Sequence, residues 1–251
     1  MLAVRWYLRF GLSYRDVEHG IYAAMRARHD GGHMGWNGAV TEPRTGDVVI
    51  GDDGLARCWW CVGTPEYRRY HDDEWGRPVA DDHALFEKLS LEGFMSGLSW
   101  LTILRKRENF RRAFRDFDVE AVARFSEDDV ERLLTDKGIV RSRAKIEATI
   151  NNAGRCEEIV DERGSLAAYA WSYEPPRATG RATGSEGPAE TTRDEAVAMS
   201  KDLKRRGWRF VGPTTVFSFM QAVGLVNDHV SMCEWRATVD DARAAFRRPA
   251  G

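Results

Sequence analysis

The sequence lacks several features that would place it outside the class of ordinary globular proteins. No apolar run in its 251 residues approaches the roughly 20 residues that a membrane-spanning helix needs. The first apolar stretch contains Arg5 and Arg9, which makes it a poor secretory signal. Four cysteines in a chain of this length do not indicate a disulfide scaffold. We therefore expect a cytoplasmic protein, with no membrane association, that folds as a monomer.

The chain also has little net charge, −2, so its overall charge does not indicate a nucleic-acid-binding protein. The distribution of charge is more informative, because positive residues collect in three runs, 105–115, 137–145 and 201–209. A single basic run is usually a solvated helix face. Three runs around one candidate site favour contacts with phosphates.

Four cysteine and histidine residues form two pairs that are far apart in the sequence. Cys58 and His71 lie in CWWCVGTPEYRRYH, and His229 and Cys233 lie in NDHVSMC. The second pair is spaced by four, which puts both side chains on one face of a helix. Together the four would make a closed Cys2His2 site, the set that suits a structural zinc ion. The spacing alone is a weak signal, since such residues are more often part of a core. Cys61 also forms a zinc-like C-x2-C pair with Cys58.

Changes in amino-acid composition along the chain predict three parts. Residues 1–56 are rich in glycine and turn-forming residues and are expected to be a weakly ordered extension. Residues 57–236 contain the helical periodicity and one core, and residues 237–251 are a tail. Residues 174–194 are predicted to be a mobile surface loop. Gly93 and Gly97 mark an expected break between helices, and no convincing pair of strands is evident.

Three long motifs resemble one protein family. They are YHDDEWGRPVADDHALFEKLSLEGFMSGLSWLTILRKRENFRRAFRDFD (70–118), DKGIVRSRAKIEATINNA (136–153) and RRGWRFVGPTTVFSFMQAVGLVNDHVSMC (205–233). All three are similar to segments of the 3-methyladenine DNA glycosylase I family, a branch of the helix-hairpin-helix glycosylases. The resemblance implies an all-α domain with a helix-hairpin-helix element. It also implies a zinc site that joins the N- and C-terminal parts, with Cys58 rather than Cys61 as the early cysteine ligand.

The same resemblance implies a base-excision repair enzyme that flips 3-methyladenine out of alkylated double-stranded DNA and hydrolyses its N-glycosidic bond. Glu92, in an apolar stretch where a charge is out of place, falls on the family's base-reading acid. A carboxylate can accept from the amino group of the cationic purine, and aromatic faces hold a cation well. Tyr70 and Trp100 are the expected stacking residues, and for Trp60 and Tyr67 a role in core packing is equally expected. Phe94 and Met95 replace glutamines of the bacterial pattern, which leaves open whether 3-methylguanine is accepted.

The expected DNA contacts follow from the same comparison. Leu98, in the intact GLSW motif, is the candidate wedge for the vacated base stack. Gly138 would allow a tight hairpin turn whose amides face a phosphate, next to a helix N-terminus. Arg141, Arg143 and Lys145 supply positive charge. One of the acids after His71 is a candidate to orient its imidazole.

Three other functions fit parts of the pattern. A zinc-stapled DNA-binding module without catalysis would share the metal and the basic runs but would not need Glu92. A metal-dependent hydrolase would need an open coordination position, which a Cys2His2 site lacks. A helical interaction protein would leave the buried acid and the clustered aromatic residues unexplained.

Overall fold

The computed structural model describes residues 48–176 and 193–250, and within these ranges the fold is predominantly helical. The helices are α1 (Pro65–Asp73), α2 (Asp82–Met95), α3 (Trp100–Ala113), α4 (Val119–Ala123), α5 (Glu127–Thr135), α6 (Arg143–Arg163), α7 (Leu166–Trp171), α8 (Asp194–Arg205), α9 (Pro213–Ala222) and α10 (Trp235–Ala245). A short antiparallel hairpin, β1 (Val48–Ile50) and β2 (Ala56–Cys58), precedes them. The helical class is confirmed, and the strand pair is an addition that the sequence did not predict. Of the helices described, none is long and apolar enough to cross a membrane.

Helix α2 is the central element of the core. Its side chains are buried around most of its circumference, as expected of a helix that is apolar on all sides. The Asp81 side chain caps its N-terminus by accepting from the amide of Ala84 at 2.8 Å. The helix packs against α3, α6, α7 and α9, so a residue on α2 can reach several neighbouring elements.

The expected break at Gly93 is wrong, because α2 continues through it to Met95. A Cβ atom at Gly93 would lie 3.4 Å from Cβ of Phe210, so the glycine allows the segment after α8 to approach the helix closely. Gly97, with φ +79°, forms the turn that separates α2 from α3. The turn therefore lies immediately before Leu98.

Two helix boundaries follow the expected chemistry. Ser126 and Asp129 form a capping box at the start of α5. Gly207, with φ +87°, follows the C-cap of α8 and ends the helix. Asp194 is the first residue of α8, and Arg193 occupies the N-cap position.

Strand β2 lies against the start of the last described helix. The amide of Glu234 donates to the carbonyl of Ala56 at 3.0 Å, which joins β2 to the start of α10. Strand β1 lies inside the segment predicted as an extension, and α10 crosses the boundary predicted at residue 236. The three-part division remains a prediction, since residues 1–47 and most of the predicted loop, 177–192, lie outside the described residues.

Candidate active site and metal centre

A buried group of potential metal ligands lies where β2, the end of α1 and the segment before α10 meet. The side-chain ligand atoms of Cys58, His71 and Cys233 lie within 4.8 Å of one another. Cys58 ends β2, His71 lies in the last turn of α1, and Cys233 precedes α10. The Sγ atom of Cys233 is 3.5 Å from Nε2 of His71. The fold thus brings together three of the four predicted ligands from segments far apart in sequence.

His229, the fourth predicted ligand, lies beside this group. Its ring centroid is 4.8 Å from that of His71. Its Nδ1 atom donates to Oδ1 of Asn227 at 2.9 Å, while its buried Nε2 atom has no hydrogen-bond partner among the described residues. Burial is the main cause that lowers the pKa of His229 to about 3, so the ring is neutral. A neutral imidazole with one nitrogen held and the other unpartnered has the state that a metal ligand requires.

His71 is oriented in the same way. Its Nδ1 atom donates to Oδ1 of Asp72 at 2.8 Å, which leaves Nε2 facing Cys233. Asp72 is itself held by the buried Arg57, whose Nε lies 3.0 Å from both carboxylate oxygens. Asp72 is therefore the acid after His71 that orients its imidazole. Two thiols and two imidazoles, with the imidazoles oriented by hydrogen bonds, are the ligand set of a cation with tetrahedral nitrogen and sulfur coordination.

Of the four cysteines, Cys58 and Cys233 form a pair, while Cys61 and Cys156 lie outside the ligand group. A hydrogen bond from Cys58 is the main cause that lowers the pKa of Cys233 to about 4, and the same bond raises the pKa of Cys58. Cys61 is fully buried and lies outside the ligand group, and burial raises its pKa to about 12. The geometry therefore favours Cys58 over Cys61 as the early ligand.

An aromatic cluster adjoins the ligand group. Tyr70 and Trp100 have ring centroids 5.3 Å apart and tilted planes, and both are more than 90% buried. Trp60 packs edge-on against Tyr67 at 6.0 Å and contacts Tyr70 at 6.4 Å. The Tyr67 hydroxyl accepts from the amide of Leu101 at 3.1 Å, which fixes the first turn of α3. The four aromatic residues that the sequence singled out thus form one cluster.

Glu92 reaches this cluster from α2. It is 4% exposed, and its Oε2 atom has no hydrogen-bond partner among the described residues. The buried Nε1 atom of Trp100 likewise lacks one. Burial raises the pKa of Glu92 to about 8, and its charge contributes to the raised pKa of Tyr70. A buried acid with an unpartnered oxygen near the Tyr70 ring is costly for folding and typical of a binding site.

Lys88 is a charged neighbour of the cluster that the sequence analysis missed. It precedes Glu92 by one helical turn, and its Nζ atom lies 5.7 Å from the Tyr70 ring centroid. Its ion pair with Glu74 is long, 3.7 Å, while Glu74 makes short bonds of 2.6 and 2.7 Å to Arg107. A lysine four residues before a glutamate is the usual pattern of an ion pair on an exposed helix face. The position of Lys88 beside the aromatic cluster is therefore evident only from the fold.

The residues expected to contact DNA lie around the end of α2 and the start of α6. Leu98 is partly exposed in the turn after α2. The Nζ atom of Lys145 donates to the carbonyls of Phe94 at 2.8 Å and Ser96 at 2.6 Å. Lys145 therefore ties the Leu98 turn to the first turn of α6. In this role it caps the C-terminal carbonyls of α2.

The connection between α5 and α6 carries the remaining candidates. The amide of Gly138 donates to Asp136 Oδ1 at 2.6 Å, and its carbonyl accepts from Asn109 at 3.2 Å. Arg143 is engaged by Glu127 and Glu131, so its charge is largely compensated. Arg141 is exposed and has no ion pair within the described ranges. Arg141 is thus the most available of the predicted basic contacts.

Comparisons with known proteins agree with one another. Residues 60–237 match the family described as methyladenine glycosylase. The chain is 47% identical over 181 residues to DNA-3-methyladenine glycosylase 1 of Escherichia coli K12, covering 71% of this chain and 96% of that protein. A crystal structure of 3-methyladenine DNA glycosylase I superposes with a TM-score of 0.66 at 45% identity, covering 71% of this chain and 98% of that one. A structure of the Staphylococcus aureus enzyme, titled for its recognition of 3-methyladenine, gives 0.65 at 42% identity, covering 70% and 95%.

Proposed function

Because the chain belongs to the methyladenine glycosylase family, we propose that it excises 3-methyladenine from alkylated double-stranded DNA by hydrolysing the N-glycosidic bond. The observation that carries this proposal is the buried carboxylate of Glu92, whose Oε2 atom has no hydrogen-bond partner among the described residues. Its charge acts on Tyr70, which packs against Trp100. The purine must leave the duplex to reach these residues, so the reaction includes base flipping.

In the proposed complex Glu92 accepts a hydrogen bond from the amino group of the purine, while Tyr70 and Trp100 contact its faces. Trp60 would support the Tyr70 ring, which it contacts, and Tyr67 would support Trp60 in turn. The bound cation would return the pKa of Glu92 toward its ordinary value, since an opposite charge favours the carboxylate. Burial of Glu92 therefore lowers the stability of the protein without a ligand, and its carboxylate gains a hydrogen-bond partner when the base binds.

The chemical step needs no nucleophile from the protein. The electron pair of the glycosidic bond passes to the purine, which leaves as a neutral base, and positive charge develops on the deoxyribose. Water then adds to the sugar carbon and releases a proton. The methylated purine is already a good leaving group, so binding the base and stabilising the developing charge are sufficient. We assign Glu92 the catalytic role because it holds the leaving base.

The metal centre is proposed to hold one structural zinc ion through Cys58, His71, His229 and Cys233. A full set of four protein ligands leaves no position for water, so the ion would stabilise the fold rather than take part in hydrolysis. Support comes from the unpartnered Nε2 of His229 and from the Asp72 and Asn227 hydrogen bonds that orient both imidazoles.

The DNA interface is proposed to include Leu98 as the wedge and the connection between α5 and α6 as a helix-hairpin-helix. The N-cap of α6, Ser142, makes no side-chain capping bond, so the first amides of this helix can meet a phosphate. Arg141 would add charge there, Gly138 lies in the turn, and Arg143 and Lys145 would contribute beside their intramolecular contacts.

The test is a single-turnover assay on methylated duplex DNA with chemical identification of the released bases. Glu92→Ala should reduce release of 3-methyladenine about 100-fold, the scale of losing one charge-assisted hydrogen bond in a dry site. Glu87→Gln, on the same helix but paired with Arg111, is the matched control and should excise normally. A wild-type protein that binds DNA but releases no base would favour a non-catalytic DNA-binding module instead.

A further inference from the structure

Helix α10 lies against the proposed metal centre, and only residues 235–237 of it fall within the family match. The ring centroid of Trp235 is 5.5 Å from that of His71. Val239 is 1% exposed, and a Cβ atom at Gly76 would lie 3.3 Å from its Cγ1 atom and 3.1 Å from Cε1 of His229. The helix therefore packs beside both proposed histidine ligands, in part through residues outside the matched range.

Asp240, also on α10, is connected to His229 through the side chain of Asn227. The Nδ2 atom of Asn227 donates to Oδ1 of Asp240 at 2.7 Å and to the carbonyl of Arg236 at 3.0 Å. Its Oδ1 atom accepts from Nδ1 of His229 at 2.9 Å and from the backbone amide of His229 at 3.2 Å. The Asn227 side chain thus uses both of its N–H donors and both acceptor positions of its oxygen.

These four hydrogen bonds fix which way the Asn227 amide points. Turning the amide over would bring its oxygen against the Asp240 carboxylate and the Arg236 carbonyl. It would also bring the NH₂ group against the backbone N–H of His229. Each of these contacts is repulsive, and the contact with Asp240 involves a full charge. Because the oxygen is held toward His229, the proton of the neutral imidazole stays on Nδ1 and the lone pair of Nε2 is left for a metal ion.

Resting on the proposed metal centre, we propose that Asp240 is a positioning residue for zinc, which acts through Asn227 to hold the proton of His229 on Nδ1 and to strengthen Nε2 as a ligand. A carboxylate that accepts from an amide N–H polarises the amide, so that its oxygen becomes a better acceptor. The hydrogen bond from Nδ1 then makes Nε2 the stronger donor to a metal. His71 has a carboxylate directly on its Nδ1, from Asp72 at 2.8 Å, whereas His229 has one through an intervening amide.

Zinc release from the full-length, zinc-loaded protein to an excess of a chromogenic chelator measures this effect. Asp240→Ala should release zinc about tenfold faster than wild type, the lower end of the range typical when a hydrogen-bonding partner of a metal ligand is removed. Asp240→Asn keeps an acceptor oxygen at the same position and should stay within about threefold of wild type. Asp241→Ala removes an equal charge from the adjacent, exposed position of α10 and should release zinc at the wild-type rate.

Two further readouts distinguish positioning from a general loosening of α10. The Nδ1–H proton of His229, observed by NMR of the zinc-bound protein, should move upfield in Asp240→Ala because its hydrogen bond weakens. The corresponding proton of His71, which Asp72 accepts, should not move. In a double-mutant cycle, Asp240→Ala should have no further effect on zinc release once Asn227→Ala has broken the connection. Independent, multiplying effects of the two substitutions would overturn the inference.

The outcomes separate this inference from the metal centre on which it rests. If wild type holds zinc and Asp240→Ala neither speeds its release nor shifts the His229 proton, the role of Asp240 is overturned and the metal centre stands. If wild type holds no zinc, both are overturned, while excision of 3-methyladenine is tested by its own assay. Should Asn227→Ala not fold, the comparison of the two histidine protons in Asp240→Ala decides the question alone.

Discussion

Glu92 should make the empty protein less stable as the pH rises. Its pKa is raised from 4.5 to about 8, mainly by burial, with Lys88 acting in the opposite direction. The folded state therefore holds a proton on Glu92 between these values, where the unfolded chain has already released it. The contribution of Glu92 to the free energy of unfolding is fully present below about pH 4.5 and is lost as the pH rises through about 8.

The size of the effect follows from the pKa change. Each pKa unit corresponds to about 1.4 kcal/mol, so the full effect on the free energy of unfolding is at most about 4–5 kcal/mol. Water entering the opened pocket would reduce this figure, and a measured effect of about 2–4 kcal/mol is expected. Glu92→Gln replaces the acid with a neutral side chain of the same shape and removes the titration. The difference in unfolding free energy between variant and wild type should therefore grow in favour of the variant between pH 5 and pH 9.

The assay is urea unfolding of both proteins at several pH values, with metal content held equal. The difference between the two curves cancels most other titrating groups, because these are common to both proteins. Glu87→Gln serves as the control, since Glu87 lies on the same helix and is ion-paired with Arg111 at 2.9 Å. Parallel pH dependences for wild type and Glu92→Gln would refute the burial argument. Saturating 3-methyladenine should reduce the difference, because the ligand binds only the folded state and supplies a partner for the acid.

The remaining predictions concern the metal and the DNA. Elemental analysis should find one zinc per chain, which Cys58→Ser should lose and Cys61→Ser should retain. Absence of zinc from carefully purified protein, or the reverse pattern in the two variants, would contradict the ligand assignment. Arg141→Gln should reduce the salt slope of DNA binding by about one unit. Arg143→Gln should change it less because Glu127 and Glu131 already engage that side chain, and equal slopes for both variants would count against this ranking.

The metal-ligand group and the aromatic cluster could be predicted from the sequence better than the residues that support them. Cys58, His71 and Cys233 meet as predicted, and the burial of Glu92 follows from its place in an apolar stretch. These predictions depend on residue type and spacing, which do not change with the exact packing. The supporting residues were less predictable. Only the fold reveals that Asn227 orients His229, because an asparagine in a loop has no periodic signal.

Charged residues were the least predictable part of the site. Arg143 and Lys145 share a basic run, but the first is engaged by acids of α5 and the second binds carbonyls at the end of α2. Lys88 has the spacing of an ordinary surface pair, yet it lies against a buried ring. The role of a long charged side chain depends on which elements pack beside it, and sequence periodicity carries little information about that. The hairpin β1–β2 was missed for a related reason, since each strand has only three residues.

The metal centre and the base pocket are joined through the covalent chain. Trp60 follows Cys58 by two residues, and Tyr70 immediately precedes His71, so two proposed ligands are sequence neighbours of two residues of the aromatic cluster. The rings of Trp60 and His71 are also in edge contact at 5.4 Å. A cation that fixes the ligands would therefore restrict the aromatic cluster in which Tyr70 is proposed to contact the purine. A zinc ion without any role in hydrolysis would still influence base binding, because it sets the position of one wall of the pocket.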